Sequence, residues 1–107
     1  MTRSCIVQKC FDEDKVLYTA HARGEMQEEK FGVIIENEVY EATLNAEIIE
    51  KYEDDQPYPS ALLYGRTLQG RPLHIVVAYS QEENLAIVIT VYQPDPERWI
   101  DYRRRKK

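Results

Sequence analysis

Cysteine and glycine are scarce in this chain, with 2 and 4 among 107 residues. No glycine run forms a phosphate-cradling loop, no nucleophile elbow is present, and no Cys/His pattern has metal-ligand spacing. Those absences argue against most cofactor enzymes, and no cofactor is expected. Cys5 and Cys10 alone cannot close a four-ligand zinc site. On a helix they would lie about 140° apart around the axis. Two reduced thiols are therefore expected, with no disulfide or metal role. No stretch approaches the roughly 18 apolar residues of a membrane span. Met1-Thr2-Arg3-Ser4 leads into no long apolar run, so no secretory signal, no membrane association and a cytoplasmic location are expected.

What is there fits one domain over residues 1–107. A chain of this size buries about two-thirds of its unfolded surface, enough for a core without staples. The net charge is −5, unevenly spread. The basic tail Arg103-Arg104-Arg105-Lys106-Lys107 leaves the rest of the chain near −10. An acidic body disfavours broad phosphate neutralisation. The tail suits a phosphate or an acidic protein, or is a solvated, frayed end.

Three helices are expected in the first half: Arg3–Asp12, one beginning near Thr19, and Val33–Leu44, whose Val33, Ile34, Val39, Tyr40 and Leu44 make an apolar stripe. The second half reads as four strands: Ile48–Tyr52, Ala61–Thr67, Pro72–Tyr79 and Leu85–Tyr92. Gln93-Pro94-Asp95-Pro96 ends the sheet, because proline removes ladder donors. Short connections force antiparallel pairing. Leu68-Gln69-Gly70 fits a three-residue hairpin loop, and Ser80–Asn84 fits a five-residue one. The fold class expected is α+β, with helices on one face of a four-stranded, mainly antiparallel sheet.

Alternation along the strands separates two faces. Leu63, Leu73, Ile75, Val77, Ile87, Ile89 and Val91 are assigned to the core. Tyr64, Arg66, His74, Val76, Ala78, Ala86, Val88, Thr90 and Tyr92 fall on the other face. The loops set Tyr64 opposite His74, His74 opposite Thr90, and Pro72 opposite Tyr92. Histidine titrates near neutrality, arginine grips phosphate, and tyrosine stacks on bases or donates a proton. These groups suit metal-independent RNA cleavage by the 2′-hydroxyl. They also suit a half-wet sheet face that merely tolerates them. His21, near a helix start with Arg23 beside it, reads as a capping residue or as a second acid or base. The acids Glu50, Glu53, Asp54 and Asp55 lack the glycine and spacing of a calcium loop and read as a solvated turn.

Four blocks carry a resemblance. They are Thr19-Ala20-His21-Ala22-Arg23 with Met26; Glu47–Tyr52 with Asp54-Asp55, Pro57 and Pro59-Ser60; Gly70–Val77; and Thr90–Trp99. Together they resemble the domain-of-unknown-function family four-two-five-eight (DUF4258), over roughly Val16 to Arg105. Members look like toxins encoded beside an MqsA-type zinc-finger antitoxin, similar in outline to RelE, BrnT and MqsR, which cleave messenger RNA without metal, often on the ribosome. The resemblance implies a RelE-like fold, an endoribonuclease activity, and an antitoxin and RNA as partners. It implies His21, His74 and Tyr92 as catalytic groups. The positions that match are His21, Arg23, His74, Tyr92, Arg98 and Trp99; taken with the sheet-face reading and the basic tail, Arg23, Tyr64, Arg66, Thr90, Arg98 and Arg103 are the expected substrate-binding groups. A non-catalytic protein- or RNA-binding module is the alternative.

Overall fold

The computed structural model describes residues 3–106, with side chains from residue 6 onward. The elements run α1 (Arg3–Asp12), β1 (Val16–Tyr18), α2 (Ala20–Glu28), α3 (Glu36–Thr43), β2 (Glu47–Tyr52), β3 (Ser60–Arg66), β4 (Pro72–Ser80), β5 (Leu85–Tyr92), β6 (Trp99–Ile100) and β7 (Arg104–Arg105). One sheet has five strands in the order β1-β5-β4-β3-β2, and β6 with β7 makes a second, two-stranded sheet. The chain is α+β, but the expected four-stranded, mainly antiparallel RelE-like sheet is not what forms. Val16-Leu17-Tyr18 adds a parallel edge strand beside β5, so the sheet is mixed. Three residues between two helices are too short to show a period of two.

Where β1 ends, α2 takes over the outer edge of β5. Thr19 caps the helix by accepting from the Ala22 amide at 3.0 Å, and its hydroxyl donates to the Ile89 carbonyl at 3.2 Å. The carboxylates of Glu25 and Glu29 accept from the Val91 and Gln93 amides at 3.2 and 2.9 Å. An edge that would otherwise expose unpaired backbone is thereby satisfied by side chains. α3 starts at Glu36, later than the expected Val33. The preceding segment is pinned as a loop instead. Ile34 donates its amide to the Met26 carbonyl at 2.9 Å, and Arg71 donates to the carbonyls of Gly32 and Val33.

Register decides which side chains meet. Gly70, at φ 88°, closes the β3–β4 loop, and Tyr64 lies opposite His74. The β4–β5 turn departs from expectation twice. Ser80, not Tyr79, pairs with Leu85, and the ladder then shifts between Val76 and Val77. The skipped residue is Ile89, the one whose carbonyl Thr19 holds. Each departure moves β5 by one residue in the same sense. Between them its faces are exchanged, so Ala86 and Val88 enter the core in place of Ile87 and Ile89. Beyond the bulge the two shifts add, the original face returns, and His74 faces Tyr92. The expected His74–Thr90 and Pro72–Tyr92 pairings are thereby corrected: Thr90 lies opposite Val76, and Pro72 pairs with Arg66 alone.

The helices cover one sheet face. Ala22, Met26, Val39 and Ala42 pack with Leu63, Leu73, Ile75, Val77, Val88 and Val91. α3 crosses β3 so closely that a Cβ on Gly65 would sit 2.0 Å from the Ala42 carbonyl oxygen. The opposite face carries Tyr64, His74 and Tyr92. The β6–β7 hairpin covers it, so the C-terminal segment is folded back and not frayed.

Candidate functional site

Glu47, Tyr64, His74 and Tyr92 lie side by side across β2, β3, β4 and β5. Over this row sits the hairpin. Trp99 stands edge-on to His74 with ring centres 4.4 Å apart, and Tyr102 lies 6.0 Å from Tyr64. His74 has no exposed surface. Its Nε2 is 2.6 Å from the Tyr102 carbonyl oxygen. A carbonyl only accepts, so Nε2 carries the proton. Nδ1 must then accept, and the Tyr92 hydroxyl donates to it at 3.0 Å. Burial drives the His74 pKa down to about 4, helped by Arg105 and opposed by the Tyr102 carbonyl and Glu50. His74 is therefore neutral at pH 7 in one tautomer. Burial likewise pushes the Tyr92 phenol up to about 12, so it stays protonated.

Tyr92 forms part of the wall of an open cleft of about 650 Å³ between the end of α2 and the hairpin, where Lys30, Arg98, Arg105 and Lys106 also contribute. Lys30 pairs with Asp95 at 2.9 Å, and Arg105 makes two bonds of 3.1 Å to Glu50. Arg98 and Lys106 adjoin through a backbone hydrogen bond of 2.8 Å and make no ion pair with another described residue. Tyr92, bonded to a buried histidine, thus lines a cleft that holds two cations without ion pairs, alongside the acids Glu29, Asp95 and Glu97. That arrangement can grip a phosphate and pass a proton inward. Among the described residues, no group of three or more His, Cys, Asp or Glu side chains comes together to hold a metal ion.

The family model "Domain of unknown function (DUF4258)" matches residues 18–93, most of the chain. This chain belongs to the DUF4258 family. No curated protein and no solved structure matches it. The match takes in Tyr64, His74 and Tyr92 but ends before the hairpin that buries them.

In this DUF4258 protein the expected site residues divide into groups. Tyr64, His74 and Tyr92 come together, with Arg66 and Arg103 stacked over the Tyr64 ring at 5.9 and 4.9 Å. Arg98 lines the cleft. Thr90 is half-buried in the neighbouring row, opposite Val76. His21 and Arg23 do not join them. His21 is exposed, 3.4 Å from Glu25, and is not part of the cleft wall. Arg23 pairs with Glu36 at 2.8 Å and lies over Tyr18. Cys10 is a buried free thiol whose pKa burial raises. The Cys5 side chain falls outside the described residues. Sequence reasoning missed Tyr102, Arg105 and Lys106 as site residues, and the acids Glu47 and Glu50 that pair with Arg103 and Arg105. The signal was charge complementarity between a basic terminus and an acidic strand.

Proposed function

We propose that this protein is a metal-independent endoribonuclease, the toxin of a toxin–antitoxin pair acting in the cytoplasm, with Tyr92 as the group that meets the RNA. The observation carrying this reading is the Tyr92–His74 hydrogen bond at the wall of a cleft that also presents Arg98 and Lys106. A ribose 2′-hydroxyl donates to the Tyr92 oxygen. As O2′ attacks the adjacent phosphorus, its proton passes to Tyr92, and the Tyr92 proton passes to His74 Nδ1. Arg98 and Lys106 hold the non-bridging oxygens. The departing 5′-oxygen takes a proton from water, leaving a 2′,3′-cyclic phosphate and a 5′-hydroxyl. The low basicity of His74 makes this a modest catalyst. The proposed partner is a cognate antitoxin of the MqsA zinc-finger type, on the strength of the family resemblance.

A second reading is a non-catalytic RNA-binding module. It is favoured by the internal saturation of both His74 nitrogens and by the position of His21 outside the cleft. Incubating labelled single-stranded RNA with purified protein in a chelator separates the two. Cleavage to cyclic-phosphate ends is expected, falling at least about 100-fold in Tyr92→Phe with binding retained. Binding without cleavage in the parent chain supports the second reading. Expression is expected to arrest growth, relieved by the neighbouring gene. Unimpeded growth would leave the toxin reading without support.

A further inference from the structure

The hairpin that buries the aromatic row is joined to the main sheet by side chains and one carbonyl, with no shared backbone ladder. Its turn is unusual. Asp101 and Tyr102 both sit in the left-handed region, at φ 53° and 61°, and the Arg103 amide closes it on the Ile100 carbonyl at 3.0 Å. Left-handed turn positions favour glycine or asparagine, and a tyrosine there carries local strain. Contacts outside the turn hold the closed position. Two ion pairs to β2 do so. Arg103 Nε bonds to Glu47, and the Arg105 guanidinium grips both oxygens of Glu50. Tyr52 donates a further hydrogen bond to Glu50 and so orients it.

A planar carboxylate held by a guanidinium fork presents the same charge and the same acceptor pair as two phosphate oxygens. We propose that Glu47 and Glu50 are internal substitutes for phosphate, which hold the basic hairpin shut over Tyr64, His74 and Tyr92 until a single-stranded RNA displaces them. The proposal rests on the RNA-binding part of the reading above, though not on cleavage. It explains how an acidic chain can present a nucleic-acid surface. Its cations Arg103 and Arg105 are spent on internal acids, while Arg66, Arg98, Arg104 and Lys106 make no ion pair with another described residue. An incoming strand meets those first and then competes for the two guanidinium groups that Glu47 and Glu50 occupy. Release uncovers Tyr64 and Tyr102, rings on which bases stack.

The probe is a fluorescent 2′-O-methyl oligouridylate of about 12 nucleotides, which binds like single-stranded RNA but offers no 2′-hydroxyl for cleavage. E47Q/E50Q is expected to bind it about tenfold tighter than the parent, and the charge-matched pair E82Q/E83Q, remote from the hairpin, less than about threefold tighter. The emission of Trp99, packed against His74 on the sheet, should move to the red when the parent is saturated with the probe. Equal effects of the two acid pairs, or an unmoved emission in the complex, would overturn the proposal. R103Q/R105Q supplies the same readout from the other side. Its Trp99 emission should lie to the red without RNA, and an unchanged emission there also overturns it. Opening without cleavage of ordinary RNA would remove the enzyme reading and leave the displacement standing. Cleavage with a permanently closed hairpin would do the reverse.

Discussion

The two faces of the sheet are sealed by different physics. On one, helices bury Leu63, Leu73, Ile75, Val77, Val88 and Val91 against one another. On the other, a hairpin of two short strands covers Tyr64, His74 and Tyr92 with rings, one carbonyl bond and ion pairs to β2. Apolar burial is non-directional and indifferent to pH and salt at the pair level. The hairpin's contacts depend on both. The stable face is therefore the scaffold, and the conditional face is where a ligand can enter.

The sharpest contrast comes from the core side. Ile75 is fully buried there, and Ile75→Ala is expected to lower stability by about 4 kcal/mol, through lost transfer energy and a cavity that the packed sheet cannot fill. Gly65→Ala attacks the same layer by overpacking. Its new methyl carbon would lie 2.0 Å from a backbone carbonyl that only movement of α3 can withdraw. A cost of about 3 kcal/mol is expected in denaturant melts. Loss of less than about 1 kcal/mol in both would show that the helix layer is not the scaffold.

The hairpin side should answer to acid. The His74 pKa is about 4 in the folded chain against 6.5 for the free side chain. Between those values the unfolded chain binds a proton that the native state refuses, so stability rises with pH. The contribution is complete above about 6.5, is lost as pH falls through the window, and amounts to up to about 3 kcal/mol. His74→Gln keeps a donor for the Tyr102 carbonyl and an acceptor for Tyr92 but cannot titrate. Its melting temperature should be flatter between pH 6.5 and 4 than that of the parent. Identical slopes would show that His74 is not held neutral by the hairpin.

How much of this contrast could be read beforehand depended on how local its causes were. A helix start near Thr19 and Gly70 as a loop closer are local choices, and both appear as read. The apolar run of β4 identified the core because alternation survives wherever register does. β5 misled in its middle, since the bulge at Ile89 is stabilised by Thr19, which lies 70 positions away. β1 was invisible because a three-residue parallel edge strand has no period and is defined by its neighbour. At the site, Tyr64 opposite His74 was legible and Tyr92 was read on the same face, but the row was read with Thr90 in the place that Tyr92 takes; Tyr92 kept its face because two register shifts added to an even number. The burial of His74 was not legible. It depends on a terminal segment whose five cations read equally well as a solvated tail.

The smallest effect isolates the ion pairs. Arg103 and Glu47 are each about half exposed, and Arg105 is 60% exposed against 29% for Glu50. Pairs this wet are worth about 1 kcal/mol or less each. Raising salt from about 0.1 to 1 M shortens the screening length from about 10 to 3 Å, so the hairpin should loosen while the apolar layer is unmoved or strengthened. The chain has one tryptophan, and Trp99 sits in that hairpin, 6% exposed. Its emission therefore reports on this face alone, whereas far-ultraviolet dichroism is dominated by the helices and the main sheet. With rising salt, or at low denaturant, the Trp99 emission should move to the red before the dichroism changes. Coincident transitions would mean that the hairpin and the core unfold as one unit, and that a strand of RNA could not lift the first without melting the second.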